Sequence, residues 1–91
     1  MEHWKPIEEA HGRYEVSSRG RVRSLVTNRV RRLGAVRGGY KKVSLRVDGV
    51  TKYRMVHRLV LHAFAGKCPT GSEASHENGD PSDNRIRNLK W

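Results

Sequence analysis

The residues best suited to chemistry lie in the last stretch of the chain, residues 75–91. It begins around His76, continues through the turn-forming segment Asn78-Gly79-Asp80-Pro81, and then reaches Asn88. Residues 89–91 alternate between apolar and polar side chains, as a half-buried strand does. The stretch therefore predicts a strand, a polar loop and a second strand, with His76 and Asn88 on facing arms. A neutral imidazole held across from an amide can take a proton from water.

Three parts of the chain resemble known sequence motifs. The stretch SHENGDPxDNRxxNLxW resembles the HNH motif in the form found in phage homing endonucleases, and the matching residues are His76, Gly79, Asn84, Arg85, Asn88, Leu89 and Trp91. The sequence pattern WxxI…YEVSxxGRVRSL, from Trp4 to Leu25, resembles the short module that often precedes this motif. Residues 56–66 resemble the helix that leads into it. Together these resemblances cover most of the chain.

The resemblance to HNH homing endonucleases implies metal-dependent hydrolysis of DNA phosphodiester bonds. His76 would be the general base, Asn88 would brace this final stretch and hold the orientation of the histidine, and Asn84 with Asp83 would fix the loop. One divalent ion, Mg²⁺ or Mn²⁺, would stabilise the charge on the phosphate and on the leaving oxygen.

The metal site is the incomplete part of this resemblance. Ser75 stands at the family's ligand position, and it is only a weak candidate ligand because hard cations favour charged oxygens. The closing helix of the family's ββα-metal finger, with the remaining ligand, is expected to be absent because the chain ends at Trp91. We therefore expect an incomplete form that binds DNA and cleaves it weakly or not at all.

Positive charge is concentrated in the middle of the chain. The net charge is +10, and residues 13–58 carry fourteen Lys and Arg against two acidic residues, whereas residues 59–91 are neutral overall. This distribution predicts a phosphate-binding platform for duplex DNA beside a site that tolerates a divalent cation. The predicted DNA-binding residues are Arg19, Arg21, Arg23, Arg31, Arg32, Lys41, Lys42 and Arg46.

The positioning elements are predicted to be small antiparallel β-hairpins with one helix, an α+β fold. Residues 13–25 and 40–56 predict the two hairpins, the second with an Asp48-Gly49 turn, and residues 57–65 predict the helix. Residues 1–12 show little regular pattern and residues 26–39 predict a flexible basic loop. We assign residues 1–56 to a basic DNA-binding region and residues 57–91 to the helix and finger, within one compact domain.

Composition limits the other possibilities. The single cysteine, Cys68, excludes an internal disulfide and predicts no structural zinc. No apolar stretch of transmembrane length and no signal peptide are present, so a cytoplasmic monomer with neither a membrane nor a small-molecule partner is expected. A DNA-binding module without cleavage remains an alternative. An RNA-associated basic protein would explain the charge but not the spacing of His76, Asn84 and Asn88.

Overall fold

Three small antiparallel sheets surround a single helix in the computed structural model, which describes residues 1–91. The first sheet contains β1 (Trp4–Pro6), β2 (Tyr14–Ser17), β3 (Val22–Ser24) and β4 (Arg29–Val30), in that order. The second sheet contains β5 (Gly34–Ala35), β6 (Lys41–Val47) and β7 (Val50–Met55). Helix α1 (Val56–Ala65) follows, and β8 (Ser75–His76) pairs with β9 (Leu89–Lys90). Short 3-10 helices span Glu8–Ala10 and Ile86–Asn88. The predicted α+β fold is confirmed.

The core is built from alternating positions of the strands and from one side of the helix. On β6, Val43, Leu45 and Val47 are buried, as their period of two predicts. The helix contributes Val56, Leu59, Val60 and Leu61, and Leu89 joins the same cluster from the last strand. Because the two ends of the chain share this core, the final stretch is held against the sheets rather than extending from them.

The central hairpin and the helix lie where the sequence placed them. The β6–β7 turn consists of Asp48 at φ 51° and Gly49 at φ 76°, the two left-handed residues that a tight hairpin requires. Helix α1 ends at Gly66, which has φ 83°. With its ten residues, α1 is too short to cross a bilayer, and no helix of the structure is long and apolar enough to do so.

Two segments carry strands that the sequence did not predict. Within residues 1–12, β1 pairs with β2, and within residues 26–39, β4 pairs with β3 and β5 pairs with β6. These strands have two or three residues, and both residues of β4 are exposed, so no hydrophobic alternation marks them. The segment 26–39, predicted as a flexible basic loop, thus contains two short strands that pair with neighbouring strands.

Candidate active site

His76 is the central side chain of the final stretch, residues 75–91, which we call the finger. It ends β8, pairs with Leu89 across the two-stranded sheet and is half-buried. Its Nε2 lies 2.8 Å from Oδ1 of Asn84, and since an amide oxygen only accepts, Nε2 carries the hydrogen. The lone pair of the neutral ring is then on Nδ1. This tautomer leaves Nδ1 as the nitrogen that can accept a proton.

Asn88 braces the finger, as the resemblance implied, but its side chain does not contact His76. It lies at the end of the 3-10 helix and is 6% exposed. Its Oδ1 accepts from the backbone N–H of Asn78 at 3.1 Å, and its Nδ2 donates to Asn78 Oδ1 at 3.0 Å and to Asp83 O at 2.9 Å.

Asn84 thus contacts the histidine, the task predicted for Asn88, while Asn88 fixes the loop. The physical reason is the 3-10 helix Ile86–Asn88. This turn directs the Asn88 amide into the loop, and because His76 pairs with Leu89, Asn88 is one residue out of register with the histidine.

A second histidine, which the sequence did not assign to the site, lies beside the first. The ring centroid of His57 is 5.1 Å from that of His76, and Tyr40 lies 5.4 Å from His57 and 5.9 Å from His76. His57 is 8% exposed, and its Nδ1 has no hydrogen-bond partner in the protein. Burial first, and then the charges of His76 and Arg58, lower the pKa of His57 to about 4. His57 is therefore neutral at neutral pH.

The carboxylates of the finger are all engaged with other side chains. Asp83 receives two hydrogen bonds from Arg85, at 2.8 and 2.7 Å, and these hold the pKa of Asp83 far below its usual range. Asp80 accepts from the hydroxyl of Ser82 at 2.7 Å, which also lowers the pKa of Asp80. The third carboxylate, Glu77, forms an ion pair with Lys90 at 3.2 Å.

Ser75 is exposed and precedes His76 on β8, so their side chains point to opposite faces of the strand. No group of three His, Cys, Asp or Glu side chains is close enough to hold an ion. Residues 1–91 therefore do not by themselves fit a divalent-metal site, and the assignment of Ser75 as a ligand stays a weak prediction.

Two of the three predicted DNA-binding arginines of the first hairpin, Arg21 and Arg23, are already paired in the free protein. Arg21 forms a two-pronged ion pair with Glu2, whose pKa falls to about 2 mainly through these hydrogen bonds. Arg23 donates to Glu15 at 2.9 and 2.7 Å. Both guanidinium groups lie over the ring of Trp4, at 5.5 and 4.1 Å from its centroid. Cation–π contacts and carboxylates thus fix these arginines on one face of the sheet.

The other predicted DNA-binding residues differ in their exposure and in the contacts of their side chains. Arg31 donates to the hydroxyl of Ser44 at 3.2 Å and so links the first and second sheets. Lys42 lies 5.1 Å from the centroid of the Tyr53 ring. Arg19, Arg32 and Arg46 are exposed, while Lys41 is half-buried. Their assignment to a DNA interface stays a prediction.

Comparisons with known proteins agree with this arrangement of the chain. Residues 2–46 match the NUMOD4 motif, and residues 54–91 match the family described as HNH endonuclease. The DNA endonuclease I-HmuI of Bacillus phage SP01 is 32% identical over 88 residues, which are 97% of this chain and 51% of that protein. An uncharacterized HNH endonuclease of Acanthamoeba polyphaga mimivirus is 36% identical over 92 residues, covering 97% of this chain and 23% of that protein.

A solved structure provides a third comparison. The structure titled "DNA binding and cleavage by the HNH homing endonuclease I-HmuI" superposes with a TM-score of 0.90 at 31% identity. The superposition covers 98% of this chain and 51% of that one. The chain thus spans about half the length of one curated relative and about a quarter of the other.

Proposed function

This chain belongs to the HNH endonucleases, with a NUMOD4 motif ahead of the HNH part as its sequence resemblance predicted, and we propose that it hydrolyses phosphodiester bonds of duplex DNA. One observation carries the proposal: Nε2 of His76 is held by Oδ1 of Asn84 at 2.8 Å, which leaves Nδ1 free to accept a proton. The same ring is half-buried and close to the protein surface, where a phosphate could approach.

His76 acts in this proposal as the general base. A water on the Nδ1 side of the ring loses a proton to Nδ1 as its oxygen attacks the phosphorus. The bond between phosphorus and the leaving oxygen then breaks, and that oxygen takes a proton from solvent. The imidazolium that forms still donates from Nε2 to Asn84, so the amide oxygen stabilises the new positive charge and keeps the ring in place. General-base catalysis of this kind contributes about 10² to 10⁴ in rate.

HNH endonucleases are generally dependent on a divalent metal ion. We assign Mg²⁺ or Mn²⁺ here because hard cations take oxygen ligands, which nucleic-acid phosphates and carboxylates both supply. The finger's own carboxylates are engaged with Arg85, Ser82 and Lys90, so they do not offer such a site as they stand. We therefore expect cleavage by residues 1–91 to be weak.

The partner in this proposal is duplex DNA, bound by the basic surface of the two larger sheets. The basic excess of residues 13–58 supports it, and phosphate contacts give such binding a strong salt dependence. Each chain has one finger and therefore one active site, so a monomer should nick one strand at a time. We place this activity in the cytoplasm of a bacterial or phage-infected host.

Plasmid nicking tests the proposal. Supercoiled DNA is incubated with the protein in Mg²⁺ or Mn²⁺, with EDTA as the blank, and the nicked circle is quantified. His76→Ala should abolish nicking without changing DNA binding, whereas His3→Ala, at an exposed histidine of the first segment, should leave both unchanged. Nicking that persists in His76→Ala would contradict the role of this residue.

A DNA-binding module that does not cleave is the second candidate function. The pairing of Asp80, Asp83 and Glu77 with side chains of the finger favours it, because a catalytic ion would have to displace these partners. Salt-sensitive duplex binding without nicking in either metal, for the wild type as well as His76→Ala, is the result that this alternative predicts.

A further inference from the structure

The turn at the tip of the first hairpin touches the asparagine that holds His76. We call residues 17–20 the tip turn. Gly20 has φ +83°, and a Cβ added there would lie 2.6 Å from Cβ of Asn84 and 3.0 Å from its backbone oxygen. Carbon atoms in contact are normally about 3.5 to 4.0 Å apart. Only a residue without a side chain therefore allows the tip turn to approach Asn84 this closely.

A hydrogen bond makes the same connection. Ile86 lies two residues after Asn84, and its backbone N–H donates to the backbone oxygen of Ser18 at 2.8 Å. The segment that carries Asn84 is thus attached to the tip turn by one close contact and one backbone hydrogen bond. Asn84 itself is 4% exposed, so it has little freedom to take another position.

The tip turn is itself rigid. The hydroxyl of Ser17, a fully buried residue, accepts from the backbone N–H groups of Arg19 at 3.1 Å and Arg21 at 3.0 Å. Ser18 is tied to His3 by a backbone hydrogen bond of 2.8 Å. These contacts anchor the turn in the first sheet, so it can serve as a fixed support.

We propose that the tip turn positions the general base, with Gly20 acting on His76 through Asn84. This rests on the proposed function, in which His76 takes the proton from water. The matched region of the NUMOD4 motif then does more than contribute basic residues, because it also sets the orientation of a residue in the HNH part.

Gly12 is a control position for this role, because it has nearly the same positive φ as Gly20 but no neighbour that an added side chain would meet. It has φ +82°, one degree from that of Gly20, but no atom lies within 4 Å of a Cβ added to it. Alanine therefore imposes the same backbone strain at both positions, and only at Gly20 does it also collide with Asn84. The atoms that it meets are backbone and Cβ atoms, which cannot rotate away. Relief requires Asn84 to move by about 1 Å, enough to break its hydrogen bond to His76.

NMR of the ¹⁵N-labelled 91-residue chain provides the test. The Nε2–H proton of His76 should exchange slowly with water and give a visible ring N–H signal, because Asn84 accepts it. Gly20→Ala should lose or strongly broaden this signal, whereas Gly12→Ala, at a nearly equal φ, should retain it. Retention of the signal in Gly20→Ala, or its loss in both variants, would overturn the proposal.

Ile86→Pro gives a second variant in case Gly20→Ala fails to fold. Ile86 is the first residue of its 3-10 helix, and the preceding Arg85 has ψ 137°, a conformation that a following proline allows. The change removes the N–H that bonds to Ser18 while adding nothing beside Gly20. We expect the same loss of the His76 ring signal, and an unchanged signal would count against the tip turn as a support.

Nicking assays distinguish the positioning of His76 by the tip turn from the proposed endonuclease activity itself. In an active preparation, Gly20→Ala should lower kcat about a hundredfold with an unchanged affinity for DNA, while Gly12→Ala should match the wild type. If no variant nicks, wild type included, but the ring signal responds as expected, the proposed endonuclease activity of this chain fails and the positioning of His76 by the tip turn stands.

Discussion

Lowering the pH from 7 to 5 is expected to destabilise the protein through His57. This residue is 8% exposed, and its pKa is lowered to about 4, first by burial and then by the charge of His76. The folded protein keeps the ring neutral at a pH where the unfolded chain, with an ordinary pKa of 6.5, takes up a proton. The unfolded state therefore binds more protons throughout this window.

The sign and size of the effect follow from that difference. Because the unfolded state binds more protons, the free energy of unfolding falls as the pH drops below 6.5, and the fall ends near the folded pKa of about 4. Between pH 7 and 5 the loss amounts to about 2 kcal/mol, at about 1.36 kcal/mol per pKa unit. For a domain of this length, such a loss lowers Tm by about 8 to 16 °C.

His57→Phe is the matched variant, since it keeps a ring beside Tyr40 and His76 but removes the titrating group. Urea unfolding, followed by tryptophan fluorescence at pH 7 and 5, gives the free energy of unfolding of each protein. The wild type should lose about 2 kcal/mol more than the variant. Because Nδ1 of His57 is unpartnered, the variant should be at least as stable at pH 7.

Other titratable groups do not account for the expected difference in free energy of unfolding between the wild type and His57→Phe. The pKa of Glu2, about 2, and the still lower pKa of Asp83 keep both carboxylates ionised throughout the window. The groups that do not contact His57 are common to both proteins and cancel in the difference. Equal losses in the wild type and in His57→Phe would refute the reasoning.

Three further predictions concern binding, the loop and the central turn. Arg32→Ala, at an exposed position, should reduce the slope of log affinity against log salt by about 1 in anisotropy titrations with duplex DNA, and an unchanged slope would remove Arg32 from the interface. Asn88→Ala should lower the free energy of unfolding by about 2 to 4 kcal/mol in urea, since it removes the three hydrogen bonds of a buried side chain; a cost below about 1 kcal/mol would contradict this. Gly49→Ala should cost about 1 kcal/mol through its φ of +76° alone, and Gly49→Asn should cost less in the same thermal melts.

The parts of the fold that the sequence predicted are those with a local signal. The β6–β7 hairpin has three alternating buried residues and a two-residue turn, and α1 has a helical stripe ended by Gly66. Such patterns depend on neighbours along the chain and therefore survive tertiary packing. The short strands β1, β4 and β5 have no such pattern, because pairing with another strand alone defines them.

The candidate site divides in the same way. The spacing of His76, Asn84 and Asn88 marked three residues that the structure brings together in the finger, but it did not say which asparagine contacts the histidine. That choice depends on a three-residue 3-10 helix, too short to show a period, and on the approach of Gly20 from far along the chain. No sequence spacing marks His57 as a neighbour of His76, because the two rings meet only when α1 packs against the β8–β9 pair.

The paired arginines of the first sheet remain compatible with DNA binding on energetic grounds. Arg21 and Arg23 are partly exposed, and exposed ion pairs contribute about 0 to 1 kcal/mol, so exchanging a carboxylate for a phosphate costs little. Their stacking over Trp4 does not depend on the carboxylates. The guanidinium groups are thus held in one direction before DNA arrives, which reduces the side-chain entropy lost on binding. Pairing with Glu2 and Glu15 therefore prepares these arginines for phosphate contacts instead of removing them from the interface.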